Sequence, residues 1–178
     1  MKKIKKVIFN IEKLNKKTGE AVSWLVLSMA LTAFFVVLLR YFYNIGFVWM
    51  QESYIWMHGL IFLFGASYAL MNDKHVRVDI FYRLTSEKIK ALINIIFSIL
   101  FLIPFIIVIS KYSIPYILKS WDGLEKSREA GGIPFLYLYK SCLLLFCINL
   151  FFQTISLILR CLLVLSNKEK KIFFKLIN

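Results

Sequence analysis

The stretch 91-ALINIIFSILFLIPFIIVIS-110 runs for 20 residues without one Asp, Glu, Lys or Arg. A helix rising 1.5 Å per residue covers about 30 Å in that length, the thickness of a bilayer's hydrocarbon core. Three more stretches share the property: Ala21 to Leu39, Ser53 to Asn72 and Ser141 to Leu159, each 19 or 20 residues long. Buried helices of soluble domains usually stop at about 10 to 15 residues and keep a polar face. The four windows therefore predict an all-α integral membrane protein with four transmembrane helices. The first window lacks a small-x-small cleavage site and runs into Arg40-Tyr41, so it reads as a retained helix and not a signal peptide.

Composition supports this class. Of 178 residues, 60% are hydrophobic and 17% aromatic, and the mean hydropathy is +0.70. Lys and Arg number 23 against 10 acids, a net charge of +13. In a polar chain that excess would suggest nucleic acid. In one this apolar it points to basic ends facing anionic phospholipids, and no nucleic-acid partner is expected.

The basic residues also predict orientation. Seven lie before the first window (Lys2, Lys3, Lys5, Lys6, Lys13, Lys16, Lys17) and one, Arg40, follows it. The second loop carries Lys74, Arg77, Arg83, Lys88 and Lys90, and the end of the chain Arg160, Lys168, Lys170, Lys171 and Lys175. The third connection holds Lys111, Lys119, Lys126, Arg128 and Lys140. Lys and Arg concentrate on the side of the termini and second loop, which places both termini in the cytoplasm.

Three segments follow. Residues 1–20 form a basic arm, in which Ile4, Val7, Ile8, Ile11 and Leu14 recur at helical spacing. That pattern suits an amphipathic helix lying in the headgroup plane. Residues 21–167 form the membrane domain, with helices at about 21–39, 53–72, 89–110 and 134–165, and residues 168–178 form a basic tail. Thr85-Ser86-Glu87 supplies an N-cap for the third helix, and Gly131-Gly132-Ile133-Pro134 supplies a turn with Pro at the first helical position of the fourth.

Chemistry-bearing residues are sparse. His58 lies one and a half turns inside the second window, where a hydrogen-bonded interfacial imidazole suits it better than a proton relay. His75 follows 17 residues later, about 25 Å along a helix, too far to share one haem iron with His58 inside a monomer. Cys142, Cys147 and Cys161 show no metal-ligand spacing and read as small packing residues. No cofactor, metal site or enzyme activity is expected.

Polar residues gather at helix ends and on one stripe. Asn149, Gln153, Ser156 and Arg160 are spaced 4, 3 and 4 apart, so they share a face of the fourth helix. Polar groups in lipid need partners, so this stripe is expected to face protein, within the bundle or on another subunit. Arg40 and Glu52 sit at adjacent ends of the first two helices and are expected to pair at the outer interface. Trp49 and Trp56 read as anchors of that end at headgroup level or against a partner. Lys74 and His75 follow the inner end of the second helix, where cations suit the helix dipole. Asp79 is a candidate partner for Arg77 or Arg83, or a solvated loop charge.

The order of these residues carries a resemblance. Arg40-Tyr41, Trp49-Met50-Gln51-Glu52, Phe64-Gly65-Ala66 and His75-Val76-Arg77-Val78-Asp79, followed by Glu125, Ser127, Glu129 and Gly132-Ile133-Pro134, resemble the small permease subunit of tripartite ATP-independent periplasmic (TRAP) transporters, the DctQ family. The family commonly has Trp-x-Glu-Glu where this chain has Gln51 before Glu52. The resemblance implies a non-catalytic subunit in the bacterial inner membrane that supports a large permease subunit. That larger subunit carries the substrate and sodium sites, and a periplasmic substrate-binding protein delivers an organic acid. On this reading Glu125 and Glu129 are candidates for docking the binding protein, alongside a plain solubilising role.

Two other functions remain open at this stage. One is a self-sufficient oligomeric carrier or channel with His58 and Glu52 facing inward. The other is a haem- or quinone-linked anchor subunit. The spans lack the midplane charges and broken helices that ion-coupled carriers use, which favours the supporting subunit.

Overall fold

Long apolar runs with few prolines and glycines produce long helices, one of them with Pro115 inside it, and in this computed structural model they exceed the charge-free windows at most ends. Residues 2–74, 82 and 85–173 are described. Helix α1 spans Lys2–Tyr43, α2 spans Val48–Met71, α3 spans Glu87–Phe97, α4 spans Ile103–Asp122 and α5 spans Leu136–Leu165. A π-helical turn at Ser98–Leu102 joins α3 to α4. Among the described residues, four helical segments are long and apolar enough to cross a membrane: α1, α2, α3 through α4, and α5. His75, Arg77, Asp79 and Arg83 lie outside the described residues.

The arm and the first span form one helix. No break occurs at residue 20, because Thr18-Gly19-Glu20 keeps the helical hydrogen bonding and Gly19 is buried, where a small residue fits. At 42 residues the helix measures roughly 63 Å, twice the hydrocarbon core. Ile8, Glu12 and Asn15 are buried, whereas Ile4, Val7 and Leu14 of the apolar stripe are exposed. Polar partners elsewhere in the chain, described below, decide which face turns inward.

The third span is longer than its window and irregular within it. Ser86 caps α3 as expected, its hydroxyl accepting the Ile89 N–H at 3.4 Å. The π turn precedes Pro104, which has no N–H to give the Leu100 carbonyl and whose ring crowds it. Widening the turn, with Ile103 N–H donating to the Ser98 carbonyl, accommodates that fault. The helix then continues to Asp122, so Lys111 and Lys119 lie on it and not in a loop. Helix α5 starts two residues later than expected, with Phe135 as its cap residue. The Phe135 carbonyl accepts from Leu138 and Tyr139, and Pro134 lies outside the helix.

Helix ends here use few glycines. Asp73, Leu124 and Asn167 adopt positive φ (57°, 41° and 55°) just after α2, α4 and α5. Each is followed by a backbone bond from the next residue to the carbonyl five back: Lys74 to Ala69, Glu125 to Ser120 and Lys168 to Leu163. These are Schellman closures, and Asn and Asp tolerate the left-handed conformation better than most side chains. Asn44 ends α1 in the same conformation, at φ 52°.

Two compact units divide the chain. The first comprises Met1–Lys17, Ala66–Ile109 and Cys147–Asn178, the second Thr18–Gly65 and Ser110–Phe146. Most buried apolar side chains belong to the first, among them Ile8, Leu70, Ala91, Leu150, Leu157, Cys161 and Ile172. In the second only Val22 and Ile117 are buried hydrophobics among the described residues. Its order rests on polar and aromatic contacts instead.

Candidate functional site

In the first unit a polar cluster builds outward from Arg160. Its Nε and Nη2 each donate to a different oxygen of the Glu12 carboxylate at 2.5 Å, a two-pronged ion pair with both side chains about 95% buried. Nη1 donates to the Ile172 carbonyl at 3.0 Å, and Ser156 Oγ donates to Glu12 Oε1 at 3.1 Å. One turn away, Asn15 Nδ2 donates to Gln153 Oε1 at 2.5 Å. Burying two charges is favourable only when nearly every donor and acceptor is satisfied, and this arrangement meets that demand. Lys5 pairs with Glu169, and Ile172 N–H donates to Glu87 Oε2 at 3.3 Å. The start of α1, the start of α3, the last turns of α5 and the segment after it are thereby tied together.

The polar stripe of α5 therefore faces this chain's own arm through Gln153, Ser156 and Arg160. Asn149 is also buried, and its Nδ2 has no hydrogen-bond partner among the described residues. The partners Glu12 and Asn15 were not singled out by sequence. One signal was available: Glu12 is the one acid among the seven lysines of residues 1–17.

In the second unit, a latch centres on Glu52. Its carboxylate accepts the Ser127 hydroxyl on one oxygen and the Ile133 N–H, at 2.6 Å, on the other. The connection 123–135 closes on itself beside it, with Ser127 N–H donating to the Ile133 carbonyl at 3.1 Å. Gly132 allows the approach, since a Cβ there would sit 2.7 Å from Glu52 Oε2 and 2.6 Å from Ser127 Cβ. Two separated stretches that carry the resemblance thus meet at one carboxylate.

This arrangement corrects the expected Arg40–Glu52 pair. Glu52 turns its charge to the connection, where a hydroxyl and a fixed backbone donor compete successfully with a long, exposed arginine. Among the described residues no ion pair joins Arg40 to Glu52. Arg40 instead lines an open cavity of about 680 Å³ with Val36, Val37, Tyr41, Asn44, Gln51 and Tyr54.

Glu125 is likewise engaged within the chain. It pairs with Lys140 and accepts the Ser120 hydroxyl at 2.7 Å, and the Lys140 ammonium lies 4.0 Å from the centroid of the Tyr116 ring. The Lys140 and Ser120 hydrogen bonds hold the Glu125 carboxyl below its ordinary pKa. Glu129 contributes backbone to the turn, its N–H donating to Ser127 Oγ at 3.1 Å, and its side chain is exposed.

Aromatic contacts complete the unit. Trp56 stacks on Tyr139 with centroids 4.8 Å apart and planes 13° from parallel. The Tyr139 hydroxyl presses on Gly59, occupying the space where any Cβ would stand. Trp121 donates to Ser141 Oγ at 2.9 Å and meets the Tyr137 ring edge-on. Trp49 is half exposed, with its ring 6.2 Å from Phe47. His58 is exposed on the wall of a cavity of about 800 Å³, with Trp56, Tyr116, Arg128, Glu129 and Tyr139 also lining it. Cys142, Cys147 and Cys161 form no disulfide among the described residues.

Fold and sites together define a multi-pass helical membrane protein whose helix ends are locked by internal charge pairs. The family model for the DctQ component of tripartite ATP-independent periplasmic transporters matches residues 29–163, well over half of the chain. The chain belongs to that family, a family of transporter components and not of enzymes. Comparison with curated proteins and with solved structures finds no match.

Proposed function

We propose that this chain is the supporting membrane subunit of a TRAP transporter in the bacterial inner membrane. It braces a large permease subunit that moves an organic acid by ion coupling, sodium being the expected ion, after a periplasmic binding protein delivers the solute. Both termini face the cytoplasm, where the basic arm and tail meet anionic phospholipid headgroups.

One observation carries this reading. In the most apolar window of α1 only 6% of residues are buried, and 11% in α2 and in α3 through α4, against 44% in α5. Few side chains of these three spans are fully enclosed within the chain, which leaves them surface to present to lipid or to another polypeptide and suits a subunit that enlarges a scaffold. Three acids are meanwhile engaged within the chain: Glu12 with Arg160, Glu52 with Ser127 and Ile133, Glu125 with Lys140. They serve architecture.

Reconstitution tests it. Proteoliposomes holding this chain alone are expected to take up no organic acid, and uptake is expected when the large permease and the binding protein are added. Transport by the chain alone would defeat the proposal.

A further inference from the structure

Arg40 stands where α1 is about to leave the apolar window, and its surroundings grade from apolar to polar along the helix. Val36 and Val37 form the deeper part of the 680 Å³ cavity. Arg40, Tyr41 and Asn44 form its upper part on α1, faced by Gln51 and Tyr54 from α2. The turn between the helices sets this geometry. Asn44 takes the left-handed conformation at φ 52°, and the Gln51 amide nitrogen lies 4.0 Å from where a Cβ of Gly46 would be.

Every polar residue of the upper part can donate a hydrogen bond: a guanidinium, two amides and two phenols. Among the described residues no carboxylate lines the cavity, and the nearest acid in sequence, Glu52, is committed to Ser127 and Ile133. A fixed cation at the edge of the hydrocarbon, ringed by neutral donors, calls for an anion from outside the chain. The two valines one turn deeper add a condition, because the occupant has to be apolar below its charge. Exposed rings around the site, Tyr41, Phe42, Tyr43 and Trp49, are of the kind that settles at headgroup level.

We propose that the α1–α2 end binds one phospholipid, its phosphate held by Arg40 with Gln51 and Tyr54 and its acyl chain lying along Val36 and Val37. This depends on α1 and α2 spanning the membrane and not on the transporter role. It is therefore measured on the full-length chain alone.

The experiment is native mass spectrometry of the purified chain in detergent, titrated with dioleoyl-phosphatidylglycerol, with dioleoylglycerol as the phosphate-free control. One retained phosphatidylglycerol per chain is expected, with dioleoylglycerol not retained. Arg40→Gln is expected to weaken retention about tenfold, the worth of one charge-assisted hydrogen bond. Arg40→Lys is expected to fall between, since an ammonium keeps the charge and loses the fork. Gln51→Leu is a second probe, and circular dichroism checks that each variant stays helical. Equal retention by wild type and Arg40→Gln overturns the proposal, as does equal binding of dioleoylglycerol. If Arg40→Gln keeps its lipid but no longer co-purifies with the large permease, the anion is an acidic residue of that partner and the lipid site is refuted.

Discussion

Glu52 and Ile133 stand 81 residues apart, and the carboxylate of the first accepts the backbone N–H of the second at 2.6 Å. With the Ser127 hydroxyl on its other oxygen, the same side chain fixes both ends of the turn 127–133. A connection that opens α5 is thereby held to the first turns of α2.

Removing that acceptor has a calculable effect. Glu52→Ala strands the Ile133 N–H and the Ser127 hydroxyl and is expected to destabilise the chain by about 2 kcal/mol, the scale of hydrogen bonds to a charged group. Glu52→Gln keeps one acceptor and is expected to lose less. Trypsin cleavage at Lys126 and Arg128 reports the opening, with a faster rate expected in Glu52→Ala than in wild type. Gly132→Ala strikes the same contact from the other side, so its effect should shrink in the Glu52→Ala background. Strictly additive effects would show that the clash at position 132 is with Ser127 and not with Glu52.

The buried pair in the first unit makes a sharper prediction. Glu12→Gln or Arg160→Met alone leaves an uncompensated charge or a stranded partner in a site about 95% buried, and each is expected to cost about 3 to 5 kcal/mol. The double variant Glu12→Leu with Arg160→Met removes both charges together and is expected to recover much of that loss. Thermal melting of the purified chain in detergent measures all three. A double variant as unstable as the sum of the singles would mean that the pair is not a self-contained unit.

Acid should weaken the Glu125 anchor. Its carboxyl is held below the ordinary value of about 4.3, first by the Lys140 hydrogen bond and then by Ser120. A depressed folded-state pKa contributes stability that is present above the unfolded value and lost as pH falls through the folded one. Melting temperatures of wild type are therefore expected to drop as pH falls from the ordinary carboxylate value through the lower one that Glu125 has in the folded chain. Lys140→Met removes the main cause and should flatten that part of the curve. An unchanged difference between the two proteins at pH 7 and at the lowest pH reached would sink this assignment.

Some of this architecture was readable in advance, for reasons that particular residues make clear. The four spans were legible because lipid excludes charge over about 20 consecutive residues, a constraint that acts locally. The inward stripe of Gln153, Ser156 and Arg160 was legible because helical spacing sets its face. Its partner was not, because the arm carries two competing faces. Ile4, Val7 and Leu14 make the stronger apolar pattern, yet Glu12 and Asn15 turn inward once Arg160 and Gln153 wait for them. The Glu52 latch joins positions 75 and 81 residues apart, and no periodicity encodes such a distance. Arg40 and Glu52 were expected to pair because they sit at adjacent ends of the first two helices, which ignores the fixed backbone donor at Ile133. The closures at Asp73, Leu124 and Asn167 were missed because none carries the glycine that usually marks them.

Gly59 offers the last test, one that separates a steric contact from a general need for a small residue. The Tyr139 hydroxyl fills the space a Cβ at position 59 would take, and the ring behind that hydroxyl stacks on Trp56. Gly59→Ala must therefore push Tyr139 off its partner, at a cost of about 1 to 3 kcal/mol for overpacking. Alanine is the better helix former by about 1 kcal/mol, so any net loss understates the clash. Tyr139→Phe deletes the oxygen that meets the new methyl group. In the Gly59→Ala background it is expected to restore most of the lost melting temperature while having little effect alone. If Tyr139→Phe rescues nothing, the ring and not the hydroxyl makes the contact, and the stack on Trp56 would have to be held by a different face of α2.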